Sequence, residues 1–260
     1  MFQALRIAAT GMHAQQLNVN VLSNNIANLN TTGFKQDMPA FTDLMYQNQK
    51  AVGAITSDTG TIAPTGLQIG LGVSVGSVYK IMKQGDLLKT DNTYDVAISG
   101  RGFFKITMPD GTNTYTRDGT FQINQDGQIV TKDGYPLDPA ISIPANATDV
   151  TVTSSGVVSA KVNDIVTQLG TITLSMFTNE AGLENKGDNL YIETDASGTP
   201  TDVNPGTEGA GTLDQGYLET SNVDAIASIT DLITAQRAYE LNSRVISTAD
   251  DMLSTLNQIR

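Results

Sequence analysis

Residues 217–260 read YLETSNVDAIASITDLITAQRAYELNSRVISTADDMLSTLNQIR, a run without a Gly or a Pro. Within it Ala225, Ser228, Leu232, Ala235, Tyr239, Asn242, Ile246, Ala249, Leu253 and Leu256 recur at alternating steps of three and four. That spacing predicts a helix with an apolar seam narrow enough to want a second helix. Ile226, Ile229, Ile233, Val245, Met252 and Ile259 flank the seam and are expected to widen its apolar face. Ser221, followed by Asp224 three positions on, resembles a capping box with Asp in place of Glu or Gln, and sets the helix start near Asn222. Such a helix runs roughly 55 Å at about 1.5 Å per residue. A compact domain of this size does not easily cover that length, so its partner is expected elsewhere.

The opposite end repeats the rhythm. Residues 1–32 contain one Gly, Gly11, and no Pro, and Leu5, Ala8, Met12, Gln15, Val19, Leu22, Ile26 and Leu29 form the same series with one polar member. A second helix is expected here, closed by stop signals at Asn28, Asn30 and Gly33. Between the helices the period falls to two: Leu67, Ile69, Leu71, Val73 and Val75 alternate with Gln68, Gly70, Gly72, Ser74 and Gly76, the pattern of one half-buried strand. Asp110-Gly111, Asp118-Gly119, Asp126-Gly127 and Asp133-Gly134 punctuate the next stretch. Short strands at 115–117, 120–124 and 128–132 fit between them as a meander of hairpins. Further strands are expected at 150–153 and 169–177, and a long loop at 198–211. The fold class read from these elements is α+β: helix, β-rich middle, helix.

Composition removes most chemistries. With 15 Lys+Arg and 27 Asp+Glu the net charge is 15 − 27 = −12, which argues against nucleic acid, since each phosphate contact needs a basic group. There is no Cys, and His13 is the single imidazole, so disulfides, thiol nucleophiles, Cys-based zinc sites and most metal sites drop out. No metal or cofactor is expected. No apolar run approaches the ~20 residues of a membrane helix, so no direct membrane insertion is expected. Met1-Phe2-Gln3-Ala4-Leu5-Arg6 lacks the basic and apolar regions of a cleaved secretory signal.

Four local motifs invite sharper readings. Gly72-Val73-Ser74-Val75-Gly76 matches the nucleophile elbow of serine hydrolases. That architecture needs a His downstream of the Ser, whereas His13 lies upstream, and Ser74 falls on the polar side of an alternating strand. Gln122, Asn124, Asp126, Gly127, Ile129 and Asp133 occupy EF-hand loop positions without the first Asp or the terminal Glu, so a hairpin turn is the simpler reading. Asp250 and Asp251 are adjacent on a helix and point about 100° apart, too far to share a proton. Gln236-Arg237-Ala238-Tyr239-Glu240 combines a fork donor, a ring and a carboxylate; it reads either as a helix-surface cluster with Tyr239 in the seam or, more sharply, as an intersubunit contact in which Arg237 pairs with a neighbour's carboxylate.

The two ends together resemble a known family. Leu22-Ser23-Asn24-Asn25-Ile26-Ala27-Asn28-Leu29-Asn30-Thr31-Thr32-Gly33-Phe34-Lys35 is similar to the N-terminal signature of the axial proteins of the bacterial flagellum, the rod and hook subunits. Ser221-Asn222-Val223, followed by Ala235 to Ser243, resembles their C-terminal signature. Gly102-Phe103-Phe104, Tyr115 to Gly119 and Gly134 to Leu137 resemble their central β-rich region. Total length and the stretch from Pro64 to Val73 place the resemblance nearest the distal rod branch, with Tyr46 to Ala63 matching a segment that stiffens the rod.

The resemblance implies a structural protein, not an enzyme. Segments 1–35 and 216–260 would form a coiled-coil-like inner layer, 36–95 a connecting segment and 96–215 a β-rich outer domain. It implies an open homopolymer, a hollow torque-bearing shaft across the periplasm. Its partners would be proximal rod and hook-side axial proteins, the surrounding basal-body rings and the flagellar export apparatus, which needs no cleaved signal. The implied assembly interface is Leu5, Met12, Val19, Leu22, Asn25, Ile26, Leu29, Phe34, Ile226, Ile233, Gln236, Arg237, Tyr239, Glu240, Asn242, Ile246, Leu253 and Leu256. The alternatives are a proximal-rod or hook-type subunit, a serine hydrolase using Ser74, and a secreted binding module.

Overall fold

The computed structural model describes residues 2–50 and 65–258. The chain opens with helix α1 (Phe2–Ala27) and ends with helix α2 (Ala225–Gln258). Twenty short strands lie between them among the described residues. They begin with β1 (Asp37–Asp43), β2 (Tyr46–Lys50), β3 (Leu67–Gly70), β4 (Val73–Lys80), β5 (Leu87–Lys89), β6 (Val96–Ser99) and β7 (Phe103–Thr107). Next come β8 (Asn113–Thr116), β9 (Phe121–Ile123), β10 (Ile129–Thr131), β11 (Leu137–Asp138), β12 (Ala147–Val152), β13 (Val157–Val162) and β14 (Ile165–Thr171). The series closes with β15 (Leu174–Met176), β16 (Glu184–Gly187), β17 (Leu190–Ile192), β18 (Thr201–Val203), β19 (Thr212–Gln215) and β20 (Tyr217–Glu219). The α+β class is therefore observed.

Two compact units divide the chain. The first comprises residues 1–26, 37–79 and 225–260, and so holds both helices and the two-stranded ribbons β1–β4 and β2–β3. The second comprises residues 27–36 and 80–224.

In the first unit both seams are turned inward. Every member of the α1 series from Leu5 to Ile26 is at least half-buried, and in α2 Ser228, Ala235 and Ala249 are buried while Leu232, Asn242, Ile246 and Leu253 are half-buried. A Cβ placed on Gly11 would stand 2.9 Å from Asn242 Nδ2, so the helices approach closely there and a larger residue would collide. Gln16 and Val19 of α1 share a groove with Gln236, Tyr239 and Glu240 of α2. As α1 advances from 11 to 19, its contacts retreat from 242 to 236, which makes the pair antiparallel. The partner of the α2 seam is thus α1 of the same chain, and not an external helix as expected from its length. The row Ile226, Ile229, Ile233, Val245 and Met252 does not widen the covered face; it stays exposed.

The second unit is built around a seven-stranded sheet ordered β16-β17-β8-β7-β15-β18, with β11 pairing β7. Adjacent Phe103 and Phe104 on β7 point to opposite faces and both are fully buried, so this sheet is covered on both sides. Phe104 joins a core with Phe121, Ile98, Ile141, Val158, Ile172 and Leu174. Phe103 joins Tyr115, Phe177, Leu183 and Tyr191, where edge-to-face ring pairs stand 4.8–5.8 Å apart. Each such pair adds about 0.5–1.5 kcal/mol beyond its buried area. A three-stranded sheet, β12-β13-β14, packs Val150, Val158 and Ala160 against the Phe104 side.

Three of the four Asp-Gly pairs form turns with left-handed glycines, at Gly111, Gly127 and Gly134. The turn at Asp126-Gly127 closes the β9–β10 hairpin, and Asn124 Oδ1 there accepts the Asp126 and Gln128 amides. Asp118-Gly119 instead carries the chain from β8 to β9 in another sheet, with Gly119 pressed against the Val96 carbonyl, where a side chain has no room.

Other expectations are adjusted. The strand expected over 67–75 is two, β3 and β4, because Gly72 breaks it at φ +117° while Thr10 packs against it. The strand expected over 169–177 is likewise divided between β14 and β15, and the loop expected at 198–211 contains β18. Helix α1 stops at Ala27, at the first of the three expected stop signals, Asn28, which leaves Leu29 of the apolar series outside it. Ser74 is the second residue of β4 and does not sit at a strand-to-helix turn, so the elbow geometry is not formed; His13 is exposed on α1. Most of Tyr46 to Ala63 lies outside the described residues.

Candidate functional site

Asn222 gathers three separate passages of the chain. Its Oδ1 accepts the Gln36 amide at 2.7 Å, its Nδ2 donates to the carbonyls of Ile81 and Lys83 at 2.8 and 2.9 Å, and its own amide donates to the Phe34 carbonyl at 3.4 Å. The Ile81 amide closes the ring on the Gln36 carbonyl at 2.8 Å. One side-chain amide therefore uses acceptor and both donor hydrogens on backbone, substituting for a sheet where three strands meet singly. This engagement explains why α2 starts at Ala225 and not near Asn222: residues 221–223 are held extended by the ring.

Beneath the ring lies an ionic knot. Lys35 Nζ pairs with Glu219 Oε1 at 2.5 Å and donates to the Lys83 carbonyl at 2.9 Å. Arg117 Nη1 reaches Glu219 Oε2 at 3.2 Å, Nη2 reaches the Gly100 carbonyl at 2.8 Å, and the guanidinium stands 5.4 Å from the Phe103 ring centre. The Gly85 amide also donates to Glu219 Oε1 at 2.9 Å. All three side chains are 0–2% exposed, so two cations share one carboxylate in the interior and the knot carries net positive charge. Burial, helped by the charge of Arg117, pushes the Lys35 ammonium below the usual lysine range against the pull of Glu219. Arg117 Nε makes no hydrogen bond.

Gly33 sets the geometry. It takes φ +66°, and a Cβ there would come within 2.9 Å of the Arg117 carbonyl carbon and the Asp118 amide nitrogen, so only glycine lets segment 31–35 lie this close. Its amide donates to the Glu219 carbonyl at 2.8 Å. Phe34 is buried beside Lys80, whose Nζ stands 4.9 Å from the ring centre.

A smaller clasp works in the first unit. Asn25, fully buried, accepts the Asp37 amide at 2.9 Å and donates to the Asp37 carbonyl at 2.8 Å, reproducing a pair of ladder bonds. The N-terminal signature thus supplies Asn25, Gly33, Phe34 and Lys35 as fasteners, and the C-terminal signature supplies Asn222.

The expected assembly residues separate into three groups. Leu22, Asn25 and Phe34 are buried within the chain. Leu5, Met12, Val19, Ile26, Leu29, Asn242, Ile246 and Leu253 are half-buried. Ile226, Ile233, Gln236, Arg237, Tyr239 and Glu240 are exposed, with Gln236, Tyr239 and Glu240 lining the groove of about 460 Å³ beside Gln16 and Val19. Leu256 lies outside the described side chains. Glu219, the center of the knot, was not singled out by the sequence reading. The available signal was that ionic residues make up only 16% of the chain, so one between the apolar runs before α2 is conspicuous.

Comparison with known proteins gives three matching family models. They are the flagellar hook protein FlgE/F/G D1 domain over residues 97–160, the flagellar basal body rod FlgEFG protein C-terminal region over 214–259, and the flagella basal body rod protein model over 5–35. The chain is 54% identical to the flagellar basal-body rod protein FlgG of Caulobacter vibrioides, covering 99% of each. It is 50% identical to that of Agrobacterium fabrum over 98% of each chain, and 48% identical to that of Buchnera aphidicola subsp. Schizaphis graminum over 100% of each.

Proposed function

From the premise that this chain belongs to the flagellar FlgE/F/G family of rod and hook proteins, and is a structural subunit of the basal-body rod, we propose that it polymerises into the distal section of that rod. The observation that carries this reading is similarity along the whole chain to proteins named for the rod, not to one shared domain. In the polymer, segments 1–35 and 216–260 supply a coiled-coil-like inner layer, 36–95 connects, and 96–215 faces outward as the β-rich domain. The result is a hollow, stiff shaft that crosses the periplasm and carries torque.

Stiffness follows from close packing, because packed side chains resist deformation. A subunit whose faces meet head-to-tail without closing forms a helix, and proximal rod and hook-side axial proteins would cap its two ends. The basal-body rings would surround it, and the chain would reach its site through the flagellar export apparatus. Neither catalysis nor a cofactor enters this account.

The test is a deletion of the gene for this chain, followed by purification of basal bodies. We expect rods that end short of the outermost rings, no hook, and loss of swimming, all restored by the wild-type chain. Immunogold label on the hook, or on the rod segment next to the motor, would move the chain to another branch of the family. Intact rods in the deletion strain would overturn the proposal.

A further inference from the structure

Helix α2 carries two apolar stripes that its seam does not use. Ile226, Ile229 and Ile233 occupy its first half at steps of three and four, and Leu241, Val245 and Met252 its second half at steps of four and seven. All six are 46–80% exposed. At about 100° per residue the first stripe points roughly 125° to one side of the seam and the second roughly 100° to the other, so α1, seated on the seam, covers neither. Of the exposed α1 side chains only Phe2 is a large apolar one, while Arg6, Ala9, His13 and Asn20 are small or polar, so α1 offers no matching stripe.

We propose that the first stripe of one copy packs against the second stripe of the next copy, with the two α2 helices parallel and displaced by about sixteen residues, or ~24 Å. This rests on the reading of the chain as a polymerising rod subunit and adds which surface meets which. A second copy is the occupant because the helix presents two different apolar surfaces at different heights. That arrangement joins unlike faces and leaves both ends open, as a filament requires, where a closed dimer would pair like with like. The displacement sets Ile229 against Val245. At fourteen residues, close to the same offset, it also brings exposed Arg237 alongside exposed Asp251. Three side chains a side cover far less than the ~800 Å² per partner of a stable complex, so a single contact falls apart and holds only in a lattice of several neighbours. Dilute subunits thereby stay apart until assembly.

The chain has no cysteine of its own, which permits a direct test. Cells lacking the native copy produce Ile229→Cys, Val245→Cys, or both in one chain, and purified basal bodies are oxidised with copper–phenanthroline. The double variant is expected to give a ladder of disulfide-linked multimers, and each single variant to remain monomeric on a non-reducing gel. Dimers from either single variant, or no ladder from assembled double-variant rods, would overturn the pairing. Should the cysteine chains not reach basal bodies, charge reversal decides. Arg237→Asp and Asp251→Arg are each expected to lower recovery in basal bodies at least fivefold, and the combination to restore it within twofold; a combination no better than the worse single variant overturns the pairing. Absence of the wild-type chain from basal bodies would sink the rod-subunit reading itself. Its presence without a ladder sinks only the stripe pairing.

Discussion

At the scale of single residues, the Lys35–Glu219–Arg117 knot predicts an asymmetry that ordinary ion-pair counting would miss. Glu219→Gln leaves two buried cations without an anion and is expected to cost about 3–5 kcal/mol. Lys35→Met removes the surplus charge, keeps the Arg117–Glu219 pair and is expected to cost less than about 1.5 kcal/mol. Urea unfolding of the purified variants checks both, and equal losses would refute the charge balance. The pH dependence has a definite sign. Because folding lowers the Lys35 pKa from its usual 10.5, the unfolded chain binds more protons between the lowered value and 10.5, and stability from this group rises with pH across that window. In Lys35→Met the rise should be absent. Asn222→Ala, which orphans the Gln36 amide and the Ile81 carbonyl while the Lys83 carbonyl keeps Lys35 Nζ, is expected to cost about 2–4 kcal/mol from two unmet partners.

At the scale of elements, the closest approach of α1 and α2 rests on the smallest possible residue. Gly11→Val should push Asn242 aside and reduce pairing of the helices, whereas Asn242→Ala should recover part of the loss by making room. A double-mutant cycle followed by helical circular dichroism would show a coupling of about 0.5–3 kcal/mol if the contact is direct, and additive effects if it is not. The helices were legible in the sequence because a three-four rhythm survives any tertiary context. The α2 series from Ala225 to Leu253 is covered along its length apart from Tyr239. The hairpins were legible at three Asp-Gly pairs for a similar local reason. The fourth, Asp118-Gly119, was misread because its glycine serves a backbone approach from residue 96, and no local pattern reports a contact twenty-odd residues away. Asn222 escaped in the same way: a side chain facing two distant stretches of backbone looks, in sequence, like any helix cap.

At the scale of the whole molecule, antiparallel pairing with Gly11 opposite Asn242 places Phe2 opposite about residue 251, counting equal rises of about 1.5 Å. The last turns of α2 therefore extend past α1. In dilute monomer, limited proteolysis is expected to remove residues beyond about 251 first and to leave the unit containing residues 80–224 longest, since fraying concentrates where packing ends. Mass spectrometry of the fragments would check the order, and first cleavage inside β6 to β15 would contradict it.

The Asn222 ring has a further consequence for how the polypeptide comes into being. Its members are drawn from position 34 onward to position 222, and the carboxylate beneath it stands at 219. Gln36 can meet Ile81 early, but Asn222 cannot complete the ring, nor Glu219 the knot, until more than four-fifths of the chain has emerged. A molecule threaded head first through any narrow passage thus travels with its clasp undone, and fastens only on arrival.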